Sequence, residues 1–483
     1  MDIFAMIDAH AARAPSALVF ISSAGRLTWG ELDARANALA GHLHRTLVRG
    51  SAVVVRGQKE PGMLIALLAC ARAGMAFVPI DEALPMARQA LIVRRSRAPL
   101  ILEAAALPAV ENSEPAPAAA RLTRDDIVYI MFTSGSSGEP KGVPITFGNL
   151  QGFLDWACEV HPIRGGKRFL DQAPYSFDLS VLDTWGALVT GGSLFAVDRA
   201  TVANPLLLAP ALAAGGIEVW VSTPSFAELC LGDRRFDAAI LPRLSCFLFC
   251  GEPLTPATAL RVKQRFPAAR IYNLYGPTEA TVAVTSALIA DHHLSRDAPL
   301  PLGTPLPGTR VFVANDAGDP VPDGESGELV IEGPCVSPGY LDAPELTARS
   351  FSGHAPRRHY RTGDAGRVVD GELRFEGRLD GQIKLFGHRI ELDDIAANLT
   401  ALPNVARGVV IAVEEGGRAV ALVGFVVGAP GARLDPRQLR DELATRVPSY
   451  MVPREIRVVD ALPMTVNGKL DRRSLAELSR QRP

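Results

Sequence analysis

The sequence predicts an α/β fold, with a large N-terminal domain of layered α/β subdomains plus a small β-rich subdomain, followed by a small α+β C-terminal domain. Amphipathic helical patterns alternate with short β-branched strands over the first part of the chain. Short strands separated by Gly, Pro and Asp turns fill residues 302–371. The pattern changes again near residues 377–384, and the roughly one hundred residues beyond suffice for a small domain. We therefore expect domains at residues 1–379 and 380–483.

The first 120 residues carry the clearest alternation of helical and strand patterns. Residues 27–45 (LTWGELDARANALAGHLHR) predict an amphipathic helix, and Thr28 followed by Glu31 has the spacing of a capping box. Such alternation favours a largely parallel sheet covered by helices. The other elements predicted here are strands at 51–55 and 76–80, an apolar helix at 62–73 and a surface loop at 104–120.

Composition excludes several function classes. The chain has 483 residues, 48% of them apolar, and a net charge of −2, which gives no reason to expect nucleic-acid binding. No apolar run reaches the roughly 20 residues of a membrane span, so the protein is not expected to span a membrane. The first 15 residues indicate an amphipathic helix rather than a signal peptide. Six scattered cysteines without a CxxC pair favour reduced thiols in a cytoplasmic protein and argue against a zinc site.

A Ser/Gly-rich loop follows a buried strand in residues 129–142 (YIMFTSGSSGEPKG). Glycines let backbone N–H groups approach an anion, hydroxyls add donors, and Lys141 adds a point charge, so the loop predicts phosphate binding. Gly142 stands where the Walker pattern has Ser or Thr, which disfavours a mononucleotide P-loop fold. The alternative is a flexible linker, but linkers rarely follow a buried strand and end in Pro-Lys-Gly.

Lysine is scarce in this chain, and arginine supplies most of the positive charge. A lysine kept in a glycine-rich segment is therefore expected to serve through its compact, flexible ammonium. Lys141, Lys384 and Lys469 stand in such segments. The complete set of lysines is Lys59, Lys141, Lys167, Lys263, Lys384 and Lys469.

Two turn motifs contain candidate nucleotide ligands. In residues 275–279 (YGPTE), Tyr275 can stack on a purine, Thr278 can donate to a phosphate and Glu279 can hold Mg²⁺. The alternative is a simple turn with an exposed acid. In residues 360–364 (YRTGD), Asp364 can accept both ribose hydroxyls, or it is a turn or cap residue.

Asp178 and Lys469 are the remaining candidates from residue type and context. Asp178 lies in an apolar run, FDLSVLDTWGALV, where a carboxylate is costly unless it is paired. It either meets an internal arginine or receives a cationic ligand such as an α-ammonium. Lys469 follows an Asn-Gly turn, so it is either a solvated tip lysine or a cation that neutralises charge on a transferring group.

Five segments in sequence order resemble motifs of the adenylate-forming superfamily, which contains amino-acid adenylation domains, acyl-CoA synthetases and luciferases. They span essentially the whole chain and are FTSGSSGEPKG, YGPTEAT, YRTGDAG, GRLDGQIKLFGHRIE and TVNGKLDRR. Within that family, a second set resembles the branch of stand-alone ligases that load D-alanine onto a carrier protein. That set is QAPYSFDLSVLDTW, VWVSTPSFAELCL, FLFCGEPL and NLYGPTEATVAVTS.

The resemblance implies ATP and Mg²⁺ as cofactors and assigns roles by position. Nucleotide contacts are implied for Thr133, Ser134, Lys141, Asn273, Leu274, Tyr275, Gly276, Pro277, Thr278, Asp364, Phe375, Arg378 and Lys469. Amino-acid contacts are implied for Asp178 as the ammonium ligand and for Lys469 at the carboxylate. The implied side-chain pocket is formed by Leu179, Cys250, Leu274 and Val282. Glu279 is the implied metal ligand, Lys469 the implied catalytic residue and Asp380 the implied hinge of a mobile C-terminal domain.

The resemblance also implies a reaction. D-alanine is activated by ATP as an aminoacyl-adenylate and passes to the phosphopantetheine thiol of a carrier protein, for D-alanylation of envelope polymers. No carrier domain follows Pro483, so the carrier is expected to be separate. The alternatives are an enzyme loading L-alanine or another small amino acid for a natural product, an acyl-CoA synthetase, and an inactive nucleotide-binding scaffold.

Overall fold

The structure is a computed structural model that describes residues 2–107, 114–117, 120–135, 138–295, 298–385, 387–415, 418–463 and 470–480. The chain divides into two compact units. The first unit is Met1–Asp81, Ser96–Met131 and Gly142–Leu379. The second unit is Glu82–Arg95, Phe132–Lys141 and Asp380–Pro483. The mixed α/β architecture confirms the predicted fold class, whereas the mobility of the C-terminal domain stays a prediction.

Helices and strands alternate along the described residues. The helices are α1 (Ile3–Arg13), α2 (Trp29–Thr46), α3 (Pro61–Arg72), α4 (Met86–Ser96), α5 (Phe147–Val160), α6 (Ser180–Thr190), α7 (Arg199–Ala203), α8 (Pro205–Gly215), α9 (Pro224–Leu231), α10 (Pro256–Arg265), α11 (Asp291–Leu294), α12 (Pro344–Ser350), α13 (Leu392–Thr400), α14 (Pro436–Ala444) and α15 (Arg472–Arg480). The strands before the β-rich part are β1 (Leu18–Ser22), β2 (Gly25–Thr28), β3 (Ala52–Gly57), β4 (Ala76–Asp81), β5 (Leu100–Glu103), β6 (Ile127–Thr133), β7 (Lys141–Thr146), β8 (Arg168–Asp171), β9 (Ser193–Ala196), β10 (Val219–Ser222), β11 (Cys246–Phe249), β12 (Arg270–Tyr275) and β13 (Thr285–Leu288). The later strands are β14 (Thr304–Pro305), β15 (Arg310–Ala314), β16 (Gly327–Gly333), β17 (Phe351–Ser352), β18 (Arg358–Val369), β19 (Glu372–Arg378), β20 (Gln382–Leu385), β21 (His388–Glu391), β22 (Val405–Glu415), β23 (Arg418–Gly428) and β24 (Glu455–Val458).

A nine-stranded sheet of order β14-β13-β12-β11-β10-β8-β9-β1-β2 forms the centre of the first unit. Its inner strands from β12 to β1 pair in parallel, as predicted. Successive side chains of a strand point to opposite faces. In β10, Val219 and Val221 belong to one apolar core and Trp220 to another, so both faces are buried. This explains why the strands appear in the sequence as continuous apolar runs.

The second large sheet has the order β5-β3-β4-β6-β7, with parallel pairing from β5 to β6. The predicted capping box is confirmed at the start of α2: the Glu31 amide donates to Thr28 Oγ1 at 3.2 Å, and the Thr28 amide donates to Glu31 Oε2 at 2.8 Å. The predicted β-rich subdomain is a sheet of order β15-β16-β18-β17, with β19 on β18. Residues 108–113 and 118–119 of the predicted surface loop lie outside the described residues.

The second unit contains the three-stranded sheet β22-β23-β24 and the hairpin β20-β21. Its core packs α13 and α14 against the sheet through residues such as Ile395, Leu399 and Leu443. A buried ion pair lies beside this core, where Arg88 donates to Asp394 Oδ2 at 3.0 Å. The strands and helices predicted beyond residue 392 are thereby confirmed as an α+β unit.

All six cysteines are buried free thiols. In the described part of the chain, the helices are too short or too polar to cross a bilayer. The free thiols agree with the reduced cysteines that the composition favoured.

His161 is a buried polar residue that supports the nine-stranded sheet from the end of α5. Its Nδ1–H donates to the Ala157 carbonyl at 3.1 Å, so Nε2 accepts the Ser286 hydroxyl at 3.0 Å. The ring also lies edge-on against Tyr272 in the neighbouring strand β12. Burial disfavours the charged imidazole and lowers the pKa of His161 from 6.5 to about 4.

We expect this histidine to make the fold acid-sensitive. The unfolded chain protonates near pH 6.5 and the folded protein only near pH 4, so stability present above pH 6.5 falls by up to about 3 kcal/mol as pH drops through that window. Thermal unfolding across this range should show a smaller pH-dependent loss in His161→Gln than in the wild type. The exposed His44→Gln serves as the control. Equal losses in all three proteins would contradict the assignment.

Candidate active site

The YGPTE motif forms a tight turn at the end of β12. The Val284 amide donates to the Tyr275 carbonyl at 2.7 Å and brings two backbone segments together. A Cβ on Gly276 would lie 2.6 Å from the Ala283 Cα, so only glycine fits there. A short 3-10 turn, Thr278–Ala280, follows. The sequence pattern therefore reflects a steric requirement of the backbone.

Two predicted nucleotide ligands, Tyr275 and Arg378, donate hydrogen bonds to a third, Asp364. The Tyr275 hydroxyl donates to Oδ2 at 2.7 Å, and the Arg378 guanidinium donates to Oδ1 at 2.7 Å and to the Thr362 carbonyl at 2.9 Å. Burial, followed by the adjacent Asp364 charge, raises the pKa of Tyr275 well above its usual value. Asp364 lies inside β18 rather than at a chain reversal, which overturns the turn interpretation. Its contact with ribose stays a prediction.

Glu279 is fully buried, so the interpretation of this motif as a turn with an exposed acid is wrong. Its Oε1 accepts the Tyr340 hydroxyl at 2.7 Å, and that hydroxyl lies 3.5 Å from the hydroxyl of Tyr360. Sequence reasoning gave no role to either tyrosine, although Tyr360 opens the YRTGD motif. The Tyr340 hydroxyl orients the carboxylate from a distant part of the chain.

The described residues contain no group of three or more His, Cys, Asp and Glu side chains placed to hold a metal. Mg²⁺ is commonly held by one or two carboxylates together with substrate phosphates. Glu279, as a single oriented and buried carboxylate, fits that donor set.

The predicted side-chain pocket residues lie in one apolar core. Leu179, Cys250, Leu274 and Val282 are all buried in it, and the Cys250 thiol donates to the Val282 carbonyl at 3.7 Å. Val282 has φ +67, a left-handed conformation that a β-branched residue adopts only when its surroundings impose it. The structure thus brings Cys250 and Val282 into contact, and the pocket itself stays a prediction.

Asp178 is buried just before α6. Burial and then the Asp178 charge raise the pKa of Tyr129, in β6, well above its usual value. The carboxylate is therefore close to that phenol. Its role as an ammonium ligand stays a prediction.

Other predicted nucleotide residues have structural partners as well. Asn273 donates its amide to the Pro301 carbonyl at 2.9 Å. Phe375 packs against the main core from β19. Pro277 and Thr278 are half-buried in the turn after β12. None of these contacts tests the predicted nucleotide roles.

In the second unit, the Ser/Gly-rich loop is held by β21. Ser134 Oγ donates to the Arg389 carbonyl at 2.9 Å and accepts the Glu391 amide at 3.1 Å. Lys141 Nζ lies 3.6 Å from Glu391 Oε1, and both side chains are largely buried. Burial raises the pKa of Glu391, while Lys141 acts in the opposite direction. Thr133 Oγ1 is buried and has no hydrogen-bond partner among the described residues.

Two predicted residues of the second unit remain without a structural test. Asp380 accepts the Gln382 amide at 3.0 Å just before β20, and its hinge role stays a prediction. Lys469, the predicted catalytic residue, lies outside the described residues.

Comparison with known proteins defines the class. A family model described as AMP-binding enzyme matches residues 7–341, and a model described as the AMP-binding enzyme C-terminal domain matches residues 394–469. The first match covers well over half of the chain, so the chain belongs to the AMP-binding enzyme family.

Two relatives with a named function are similar to this chain over nearly its whole length. The chain is 39% identical to the D-alanine--D-alanyl carrier protein ligase of Bacillus licheniformis, over 99% of both chains. It is 39% identical to the ligase of the same name from Bacillus cereus strain G9842, over 98% of this chain and 99% of that one.

The solved structures show the shared fold. The Vibrio cholerae adenylation domain AlmE, in complex with glycyl-adenosine-5'-phosphate, has a TM-score of 0.87 at 24% identity, covering 99% of this chain and 98% of that chain. Holo-PA1221, a nonribosomal peptide synthetase protein containing adenylation and PCP domains, has a TM-score of 0.81 at 28% identity, covering 98% and 83%.

The Lys141–Glu391 pair leads to a prediction about nucleotide affinity. Glu391→Gln removes a carboxylate that competes with an incoming phosphate for the lysine, so we expect the dissociation constant of ATP to fall several-fold. Fluorescence or calorimetric titration with ATP measures the change.

The matched control is Glu139→Gln in the same loop. Glu139 is more exposed and pairs with Arg94 and Arg95 rather than with Lys141. ATP affinity should therefore change little in the control. If both variants bind ATP as the wild type does, Lys141 and Glu391 do not compete in this way.

Proposed function

We propose that this enzyme activates D-alanine with ATP as an aminoacyl-adenylate and transfers it to the phosphopantetheine thiol of a separate carrier protein, for D-alanylation of envelope polymers. The observation that carries the proposal is the 39% identity to a D-alanine--D-alanyl carrier protein ligase over 99% of both chains. The buried Cys250 and Val282, joined by a hydrogen bond, support a pocket for a side chain as small as methyl. We place the reaction in the cytoplasm, which agrees with six free thiols.

The nucleotide is recognised by groups that the fold already orients. Asp364 is held by Tyr275 and Arg378 with its two oxygens directed, which suits a carboxylate that accepts ribose hydroxyls. Thr133, Ser134 and Lys141 are the proposed phosphate ligands. Mg²⁺, held by Glu279 and phosphate oxygens, would stabilise negative charge that develops on the transferring phosphoryl group.

The first half-reaction joins two anions. A carboxylate oxygen of D-alanine forms a bond to the α-phosphorus, the bond from that phosphorus to the bridging oxygen breaks, and pyrophosphate leaves. Asp178 orients the substrate through its ammonium. Lys469 is the proposed cation at the substrate carboxylate and the α-phosphate.

The second half-reaction uses the activated carbonyl. The carrier's phosphopantetheine thiol loses its proton to water, and the sulfur attacks the carbonyl carbon to form a thioester. The bond from that carbon to the phosphate oxygen breaks, and AMP leaves with its electron pair. We propose that the C-terminal domain turns about Asp380 between the two steps, so that Lys469 acts only in the first.

The proposal is tested by amino-acid-dependent exchange of labelled pyrophosphate into ATP with a panel of D- and L-alanine, glycine and D- and L-serine. We expect D-alanine to give the highest kcat/KM, because the identity to D-alanine ligases supports D-alanine as substrate and a methyl-sized pocket disfavours serine. Transfer to a phosphopantetheinylated carrier should then follow. Preference for L-alanine or glycine would redirect the proposal to a natural-product pathway, and exchange with a simple carboxylic acid alone would contradict it.

A second experiment tests the ammonium ligand. Asp178→Asn keeps the size of the side chain and removes its charge, so we expect kcat/KM for D-alanine to fall by about a hundredfold or more. Adenylation of propionate, which lacks the amine, should change little. The control is Asp323→Asn at an exposed position. If Asp178→Asn lowers activity with both acids equally, the carboxylate does not read the ammonium group.

A further inference from the structure

A buried lysine in the first unit lies outside the site described above. Lys59 is in the segment between β3 and α3, and its side chain is 5% exposed. Its ammonium donates to Asp171 and, at 2.6 Å, to the Ala173 carbonyl. It also lies 4.0 Å from the ring centroid of Tyr175. The ammonium is thus held by a carboxylate, a carbonyl and an aromatic face.

Each of these partners belongs to the segment that ends at Asp178. Asp171 closes β8, and its Oδ2 accepts the Tyr175 hydroxyl at 2.8 Å. The segment then turns, with the Phe177 amide donating to the Pro174 carbonyl at 2.9 Å. Lys59 therefore fixes the start and the middle of the connection that carries Asp178 into α6.

The energetics favour a role in position over a role in stability. Replacing a buried ion pair by apolar residues of similar volume is often neutral or stabilising, so such a pair is a weak source of net stability. A buried ion pair also holds the groups that it joins in one fixed arrangement. The ammonium also suits this place better than a guanidinium, since it is compact and its donors point to three different groups.

Lys59 lies among several acids. Asp183, on α6, is fully buried; burial and then Asp171 raise its pKa well above the usual value, with Lys59 opposing them. Lys59 and Asp171 form the ion pair of this cluster, while Glu60 is a further nearby acid that acts on Tyr175. Because Lys59 pairs with Asp171, the Asp171 carboxylate does not compete with Asp178 for the substrate ammonium.

We propose that Lys59 is a positioning residue for amino-acid binding: it fixes residues 171–178 and with them the Asp178 carboxylate. This inference rests on the proposed function, in which Asp178 receives the substrate ammonium. Lys59 does not contact the substrate in this account. It acts through Asp171, Ala173 and Tyr175.

The test is a charge-balanced double variant, Lys59→Met with Asp171→Asn. It removes the ion pair without leaving a buried charge unpaired, and the Asn oxygen still accepts the Tyr175 hydroxyl. Pyrophosphate exchange should show the KM for D-alanine raised about tenfold, because small displacements of a binding group are costly. The KM for ATP should stay within about twofold, and the melting temperature should stay near that of the wild type.

The single variant Lys59→Met separates position from stability. It leaves Asp171 buried and unpaired, so we expect a lower melting temperature, which Asp171→Asn should restore without restoring the KM for D-alanine. Tyr175→Phe, which removes one hydroxyl, should raise that KM by a smaller factor and leave the KM for ATP unchanged. Lys263→Met, at a half-buried lysine that bonds to the Pro267 carbonyl instead of this cluster, is the control.

Two results would overturn the inference. One is an unchanged KM for D-alanine in both the double variant and Tyr175→Phe. The other is a parallel rise in the KM for D-alanine and the KM for ATP together with a lower melting temperature. Failure of the proposed function is distinguishable, because the wild type itself would then show no exchange with D-alanine. If the double variant does not fold, Tyr175→Phe decides the question.

Discussion

The Asp364 carboxylate joins two separate sheets of the first unit. It accepts a hydrogen bond from Tyr275, at the end of a strand in the nine-stranded sheet, and another from Arg378 in the β-rich sheet. A carboxylate held from two sides by donors on different sheets has little freedom to turn. Tyr275, Asp364 and Arg378 are therefore brought together by long-range packing of strands, and the short motifs that contain them supply only the local backbone geometry.

Buried acids recur among the described residues of the first unit, and two of them have a clear partner. Glu279 has the Tyr340 hydroxyl, and Asp171 has Lys59. Burying an ion is costly, and the lowest-cost arrangement is one in which donors complete its hydrogen bonds. The cores around these groups are apolar, so the effective dielectric constant is low and their charges act strongly at short range. This is the setting in which a carboxylate can discriminate an amine from a neutral group.

The sequence predicted those features that short-range chemistry determines. The capping box of α2 depends on Thr28 and Glu31 alone, and it was correct. The turn after β12 followed from a glycine with no room for a Cβ. The partner of Glu279 could not be predicted in this way, because Tyr340 lies 61 residues further along the chain. Lys59 was missed for the same reason, although the scarcity of lysine in an arginine-rich chain was a signal that could have singled it out.

The Ser/Gly-rich loop shows how a predicted anion site can be recognised from its protein partners. Glu391 supplies Lys141 with a negative oxygen and gives its own backbone amide to Ser134, so the loop already receives an acidic partner. Burial disfavours the charge of that carboxylate, which makes it a weaker partner than a phosphate with several charged oxygens. Thr133 Oγ1, buried and without a partner among the described residues, is a further donor that a polyanion can use. The groups of the loop thus favour a multiply charged anion over the single carboxylate that it contacts here.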